Sequence, residues 1–306
     1  MTRNEMNSGA SSRNVMTVRE ADDDRGGGIV DDHKGAGNGH SGAATVTANP
    51  WQDLRRLTQA RIALGRSGVS LPTGAHLEFQ LAHARARDAV HMALDVEALA
   101  QALAAVLPPA AHDCLLAHSA ARDRPHYLQR PDLGRQLDQA SRHSLQQLVS
   151  LPCDLALVLV DGLSPLAIRQ NAVPFLQTLL PRLQADGWTL APTVIVQQGR
   201  VAIGDEIGAL LQAKAVLVLI GERPGLSSPD SMGLYLTWAP RAGLLDANRN
   251  CISNVRPAGL NYAGAAYKTH YLLSQARQRG LSGVELKDET ASADALDGVQ
   301  RNFLLE

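Results

Sequence analysis

Along the second half of the chain the apolar positions form short unbroken runs. The segments "DLALVLVDG" (154–162), "LAPTVIVQQG" (190–199) and "AVLVLIG" (215–221) are rich in leucine or β-branched residues, and each closes on glycine. Runs of that length, bounded by turn residues, predict strands covered on both faces, the pattern of parallel sheets. Between them the period lengthens to that of a helix. Ser164 followed by Pro165 is a cap with proline at the first helical position; a break is expected near Asn171, after which 173–185 continues as an amphipathic helix up to Gly187. A shorter helix is predicted over "IGDEIGALLQA" (203–213). Two further strands, "GLYLTWAP" (233–240) and 251–255, and a last helix over 261–278 complete the layer. The alternation predicts an α/β fold: a parallel-sheet, Rossmann-like domain over 151–287 with helices on both faces.

The first half reads differently. Leu54, Leu57, Ala60 and Ile62 recur at helical spacing in "WQDLRRLTQARIAL" (51–64), and "TGAHLEFQLAHARARDAVHMAL" (73–94) repeats the pattern from Thr73 as its N-cap. A third helix is expected over 132–149, and the Gly/Pro/Ser stretch "GRSGVSLPTG" (65–74) is a connector. Residues 51–150 are therefore predicted as a helical region suited to a subunit interface. Residues 1–50, with "DDDRGGG" and "HKGAGNGHSG", lack the large apolar side chains needed to offset chain entropy and are expected to be disordered. Residues 288–306 are expected to be a C-terminal tail.

Composition narrows the function. With 29 Lys+Arg against 30 Asp+Glu the net charge is −1, so the chain lacks the basic excess that phosphate backbones require and no nucleic-acid partner is expected. Three scattered cysteines, Cys114, Cys153 and Cys251, form no CxxC pair and no even disulfide framework, which points to a reducing cytoplasm. The longest apolar runs fall far short of the roughly 20 residues that span a bilayer, so no membrane association is expected. The N-terminus has no basic stretch leading into an apolar core, as a secretory signal would.

Ligands of open parallel sheets bind beyond the carboxyl ends of the strands, where helix N-termini and loop amides converge. Three loops belong there: Asp161-Gly162-Leu163-Ser164, Gln198-Gly199-Arg200-Val201 and Gly221-Glu222-Arg223-Pro224-Gly225. Their glycines either let a ligand approach the backbone or merely turn the strands, with Glu222 and Arg223 as solvated surface charges. Neither a dinucleotide nor a P-loop fingerprint follows any predicted strand, "GAGNG" (35–39) has no strand before it, and no G-x-S-x-G elbow occurs. His76, His83 and His91 lie seven and eight residues apart, roughly 10–12 Å along a helix, too far to share one zinc ion. Cys114 and Cys153 read as small buried hydrophobes, and packing is also the favoured reading of Cys251. No catalytic residue is assigned.

Six segments in order, "RIALGRSG", "YLQRPDLGR", "VLVDGLS", "QQGRVAIGDEIGALL", "GERPGL" and "LYLTWAP...ANRNCISNV", resemble the small (light) subunit of ethanolamine ammonia-lyase, from about Trp51 to about Lys287. That family converts ethanolamine to acetaldehyde and ammonia with adenosylcobalamin. The resemblance implies a large-subunit partner whose barrel hosts the reaction, while the small subunit holds the corrin, contributes no acid or base and is inactive alone. It implies cofactor contacts at Val201, Glu222 and Cys251. It also implies a base-on cofactor; "DDHKGA" (31–36) has alanine where the Asp-x-His-x-x-Gly base-off signature needs its glycine. Some relatives carry an N-terminal extension that directs them into a microcompartment. Residues 1–20 here show a poor apolar stripe, so the open cytoplasm is expected. The other readings are a stand-alone α/β enzyme for a nucleotide or small metabolite, and a purely architectural subunit that never touches the corrin.

Overall fold

The computed structural model describes residues 46–148 and 152–290. The disorder expected for 1–45 and most of the C-terminal tail lie outside the described residues. One six-stranded sheet runs through the described chain. Its strands are β1 (Leu115–His118), β2 (Cys153–Val160), β3 (Val194–Gln197), β4 (Ala213–Gly221), β5 (Met232–Trp238) and β6 (Arg249–Val255), in the spatial order β1-β3-β2-β4-β5-β6.

The sheet is mixed, which corrects the all-parallel, Rossmann-like expectation. β1, β3, β2 and β4 are parallel, whereas β5 and β6 each run antiparallel to their predecessor. Chain length between strands is the reason. Only ten residues separate Gly221 from Met232, and a parallel return needs a crossover of a dozen or more.

Alternation along β2 and β4 divides the core in two. Leu155, Leu157, Leu159, Leu217 and Leu219 face one side, where they meet α2 (Val96–Ala104), α5 (Pro165–Ala185) and α7 (Tyr262–Arg279). Ala156, Val158, Val160, Val216 and Val218 face the other, against α4 (Gln139–Gln146) and α6 (Ile203–Leu210). Both faces are covered as predicted, which is why the central strands carry no polar alternation.

Helix α5 is capped as expected, with Ser164 Oγ accepting from Ala167 N at 3.3 Å and Pro165 at the first helical position. The break near Asn171 does not occur. Buried Asn171 donates to the carbonyls of Ala167 (3.0 Å) and Asp230 (2.7 Å) and accepts from the Tyr262 hydroxyl (2.8 Å), so its amide is satisfied without interrupting the helix. The buried stripe of Ile168, Ala172, Phe175, Leu179 and Leu183 carries the helix through Pro174.

The N-terminal half departs further. α1 (Thr73–His91) is present, but Pro72 precedes it as cap and Thr73 is its first residue. Residues Pro50–Arg56 form a 3-10 turn and the helix expected to 64 is absent. Trp51 and Leu57 are 67% and 62% exposed, so the stripe has no described surface to bury against. Thr47 pairs with Arg66 through both backbone hydrogen bonds, so the disorder expected up to residue 50 does not extend over 46–50. The predicted 132–149 helix is a 3-10 turn (Leu133–Arg135) followed by α4. α2, capped by Asp95 on Ala98 N, strand β1 and the short α3 (Arg124–Gln129) were not anticipated.

Candidate functional site

The three strand-end loops converge, tied together from beneath. Asp161, 2% exposed at the end of β2, accepts from Gln198 N (2.9 Å) and Gly199 N (3.3 Å) in the loop after β3. On the other side Leu163 N donates to Gly221 O at 2.9 Å. A Cβ on Gly221 would land on the carbonyl oxygens of Ser164 and Asp161, and one on Gly162, whose φ is +57°, would strike Gly221 O. These two glycines are required by the approach of the two loops to each other. Burial raises the Asp161 carboxyl to about 6, against the opposing pull of the loop amides and of Arg124, 3.8 Å away.

Above this floor is an open cavity of about 460 Å³. Leu163, Val201, Ile220, Glu222 and Tyr235 line it, with Tyr127 and Arg200 on one side. Val201 and Glu222, singled out in the sequence, therefore meet in one hollow. Glu222 Oε2 accepts from Ser231 Oγ at 2.5 Å and from Asn254 N at 3.3 Å, which fixes the carboxylate across the β4–β5 loop and the end of β6. Among the described residues Oε1 has no donor.

Cys251 adjoins the cavity through its β-ladder partner Tyr235. Burial, then the Cys251 thiol and the Glu222 carboxylate, push the Tyr235 phenol above its usual range. Ile252 packs into the core on the α7 side, so Cys251 and Ser253 point the other way and are exposed. The packing role expected of Cys251 is thereby corrected. Cys153 is buried and Cys114 half-buried, in line with their apolar reading.

Tyr127 on α3 was missed as a site residue. It is fully buried and donates from its hydroxyl to Gly199 O at 3.0 Å. The Arg124 and Arg200 guanidiniums lie 4.8 and 4.4 Å from its ring centroid. Arg124 serves the scaffold through Nε and Nη1, donating to Val90 O and Gly162 O, both at 2.7 Å, and to Gln198 Oε1 at 3.3 Å, while its buried Nη2 has no partner among the described residues. Nothing in a six-residue helix at a distance of seventy residues marks Tyr127 beforehand; only its place in "YLQRPDLGR" could have drawn notice. A larger apolar hollow of about 620 Å³, beside Trp188 and Pro181, lies at the amino ends of the strands. It lacks the convergent polar groups that orient a ligand. Among the described residues no group of three or more His, Cys, Asp or Glu is placed to hold a metal ion, and no helix is long and apolar enough to cross a membrane.

A family model described as ethanolamine ammonia-lyase light chain (EutC) matches residues 48–287. The chain belongs to the ethanolamine ammonia-lyase light-chain family. Curated relatives named ethanolamine ammonia-lyase small subunit agree. The protein of Ralstonia nicotianae is 58% identical over 266 residues, covering 86% of this chain and 97% of the relative. That of Azotobacter vinelandii is 58% identical over 271 residues, 87% and 98% respectively. That of Pseudomonas syringae pv. tomato is 56% identical over 270 residues, 85% and 93%. The family match begins at residue 48, close to where the described residues begin.

Proposed function

We propose that this chain is the small subunit of an adenosylcobalamin-dependent ethanolamine ammonia-lyase, a carbon–nitrogen lyase assembled with a catalytic large subunit in the cytoplasm. It holds the corrin against that subunit and is inactive alone. The observation that carries the reading is the meeting of Val201 and Glu222 in one open cavity, with Cys251 adjoining through Tyr235. The donor set fits a corrin. A broad apolar ring fringed by neutral amides needs an apolar seat, which half-buried Val201 and Leu163 supply together with buried Ile220, and acceptors for its N–H groups, which the unoccupied Oε1 of Glu222 supplies.

The bound cofactor supplies the radical chemistry, in its base-on form. The chain's own residues orient and enclose it. Glu222 accepts from a side-chain amide, Val201 excludes water from the ring face, and Cys251 serves by contact rather than as a cobalt ligand. The large subunit covers the open side. The exposed apolar side chains Trp51, Leu57, Leu71, Leu77 and Leu81 support a partner interface on the N-terminal half.

Co-expression with a large-subunit homologue tests the assignment: the complex should release acetaldehyde from ethanolamine only when adenosylcobalamin is added, and an assembled but inactive pair would refute it. Glu222→Ala should weaken cofactor binding by about 1–3 kcal/mol through the lost charged acceptor, and an unchanged dissociation constant would remove Glu222 from the site.

A further inference from the structure

Three arginines, Arg135, Arg200 and Arg223, line the strand-end cavity. Among the described residues none of the three makes a side-chain hydrogen bond or an ion pair. Two carboxylates line it as well: Glu222, whose Oε2 accepts from Ser231 Oγ and Asn254 N, and Asp246, which Arg249 Nη1 pairs at 3.0 Å. Three guanidiniums against two carboxylates leave the lining with a formal positive excess of one, although the whole chain carries net charge −1.

Arg200 is the best fixed of the three. Its backbone N–H donates to Gly134 O at 2.7 Å, and its stem passes so close over Gly134 that a Cβ there would lie 2.8 Å from Arg200 Cγ. Its guanidinium rests 4.4 Å from the Tyr127 ring centroid, and its buried Nε has no hydrogen-bond partner. A guanidinium held by its stem and its plane, with donors unspent, is pre-organised for bidentate contact with an oxyanion. Corrin amides do not require such a group, since a neutral carbonyl is served by any single donor.

We propose that this cavity binds a phosphate-type oxyanion, with Arg200 as the fixed donor fork and Arg135 and Arg223 as flanking charges. The corrinoid reading above bears only on the source of that oxyanion: the phosphodiester of a bound cobalamin's nucleotide tail, or free phosphate.

The test uses the two-subunit complex, with Arg200→Gln and Arg200→Lys beside wild type. Adenosylcobalamin and adenosylcobinamide, which lacks the phosphodiester, are titrated spectroscopically, and inorganic phosphate by calorimetry. The expected result is a loss of roughly tenfold or more in cobalamin affinity for Arg200→Gln, a smaller loss for Arg200→Lys, and cobinamide affinity unchanged. Cobinamide binding doubles as the folding control. Should Arg200→Gln not fold, the exposed double variant Arg135→Gln/Arg223→Gln is expected to weaken cobalamin or phosphate binding and flatten its salt dependence. Loss of phosphate binding with both corrinoids unaffected upholds the oxyanion site and assigns it to free phosphate. Equal losses for cobalamin and cobinamide without an effect on phosphate, or no loss with any ligand, overturn it. A wild-type complex that binds neither corrinoid overturns the proposed function, and the phosphate titration still decides the oxyanion site.

Discussion

Replacing Asp161 by asparagine isolates one term in the pH dependence of stability. The carboxylate is 2% exposed, and its folded value of about 6 stands above the ordinary 3.8 because burial outweighs Arg124 and the two loop amides. A raised folded value means that the native state binds this proton more tightly than the unfolded chain. Its contribution is therefore fully present below about 3.8 and is lost as pH rises through about 6. Between pH 4.5 and 7.5 the wild type should lose about 2 kcal/mol from this group, a loss absent from Asp161→Asn. Urea unfolding of both full-length proteins at the two pH values measures it. Subtracting wild type from variant cancels every other titrating group, and the difference should move by about 2 kcal/mol in favour of the variant on going to pH 7.5. A flat difference, or one moving the other way, would mean that Arg124 and the amides hold Asp161 at or below its ordinary value, and the argument from burial would fail.

Gly221→Ala should destabilise the fold by about 3 kcal/mol or more, because the new methyl meets backbone carbonyls of Ser164 and Asp161 that cannot swing aside; a melting temperature within 2–4 °C of wild type would contradict it. Asn171→Ala should cost about 1–3 kcal/mol by leaving Asp230 O and the Tyr262 hydroxyl without their partner, read by chemical denaturation. Tyr127→Phe should cost about 1 kcal/mol through the lost bond to Gly199 O while leaving the Arg200 stack in place, so ligand affinity at the cavity should change little.

The sheet's centre was legible because β2 and β4 are buried on every residue or nearly so, which forces an unbroken apolar run into the sequence. The direction of β5 and β6 was not written in their own residues; it depended on the length of the chain between strands, which a strand-by-strand reading ignores. β1 escaped because four residues at a sheet edge, only one of them buried, produce no period. α2 could have been found: Asp95 caps it, and Val96, Leu99 and Leu103 repeat at three and four. The opposite error at 51–64 arose because an apolar stripe promises a helix only when something exists to bury it. At the site, Val201 and Glu222 sit on loops whose position follows from strand ends, so topology alone brought them near each other. Tyr127 and Tyr235 act through tertiary neighbours that no local pattern predicts.

The antiparallel turn at β4 has a spatial outcome. A sheet that grows by parallel strands gains a helix with every addition and is roofed as it widens, whereas hairpin strands add width without a roof. On the side away from α7, the edge carrying Tyr235, Cys251 and Ser253 is consequently a ledge, with Cys251 and Ser253 open to solvent.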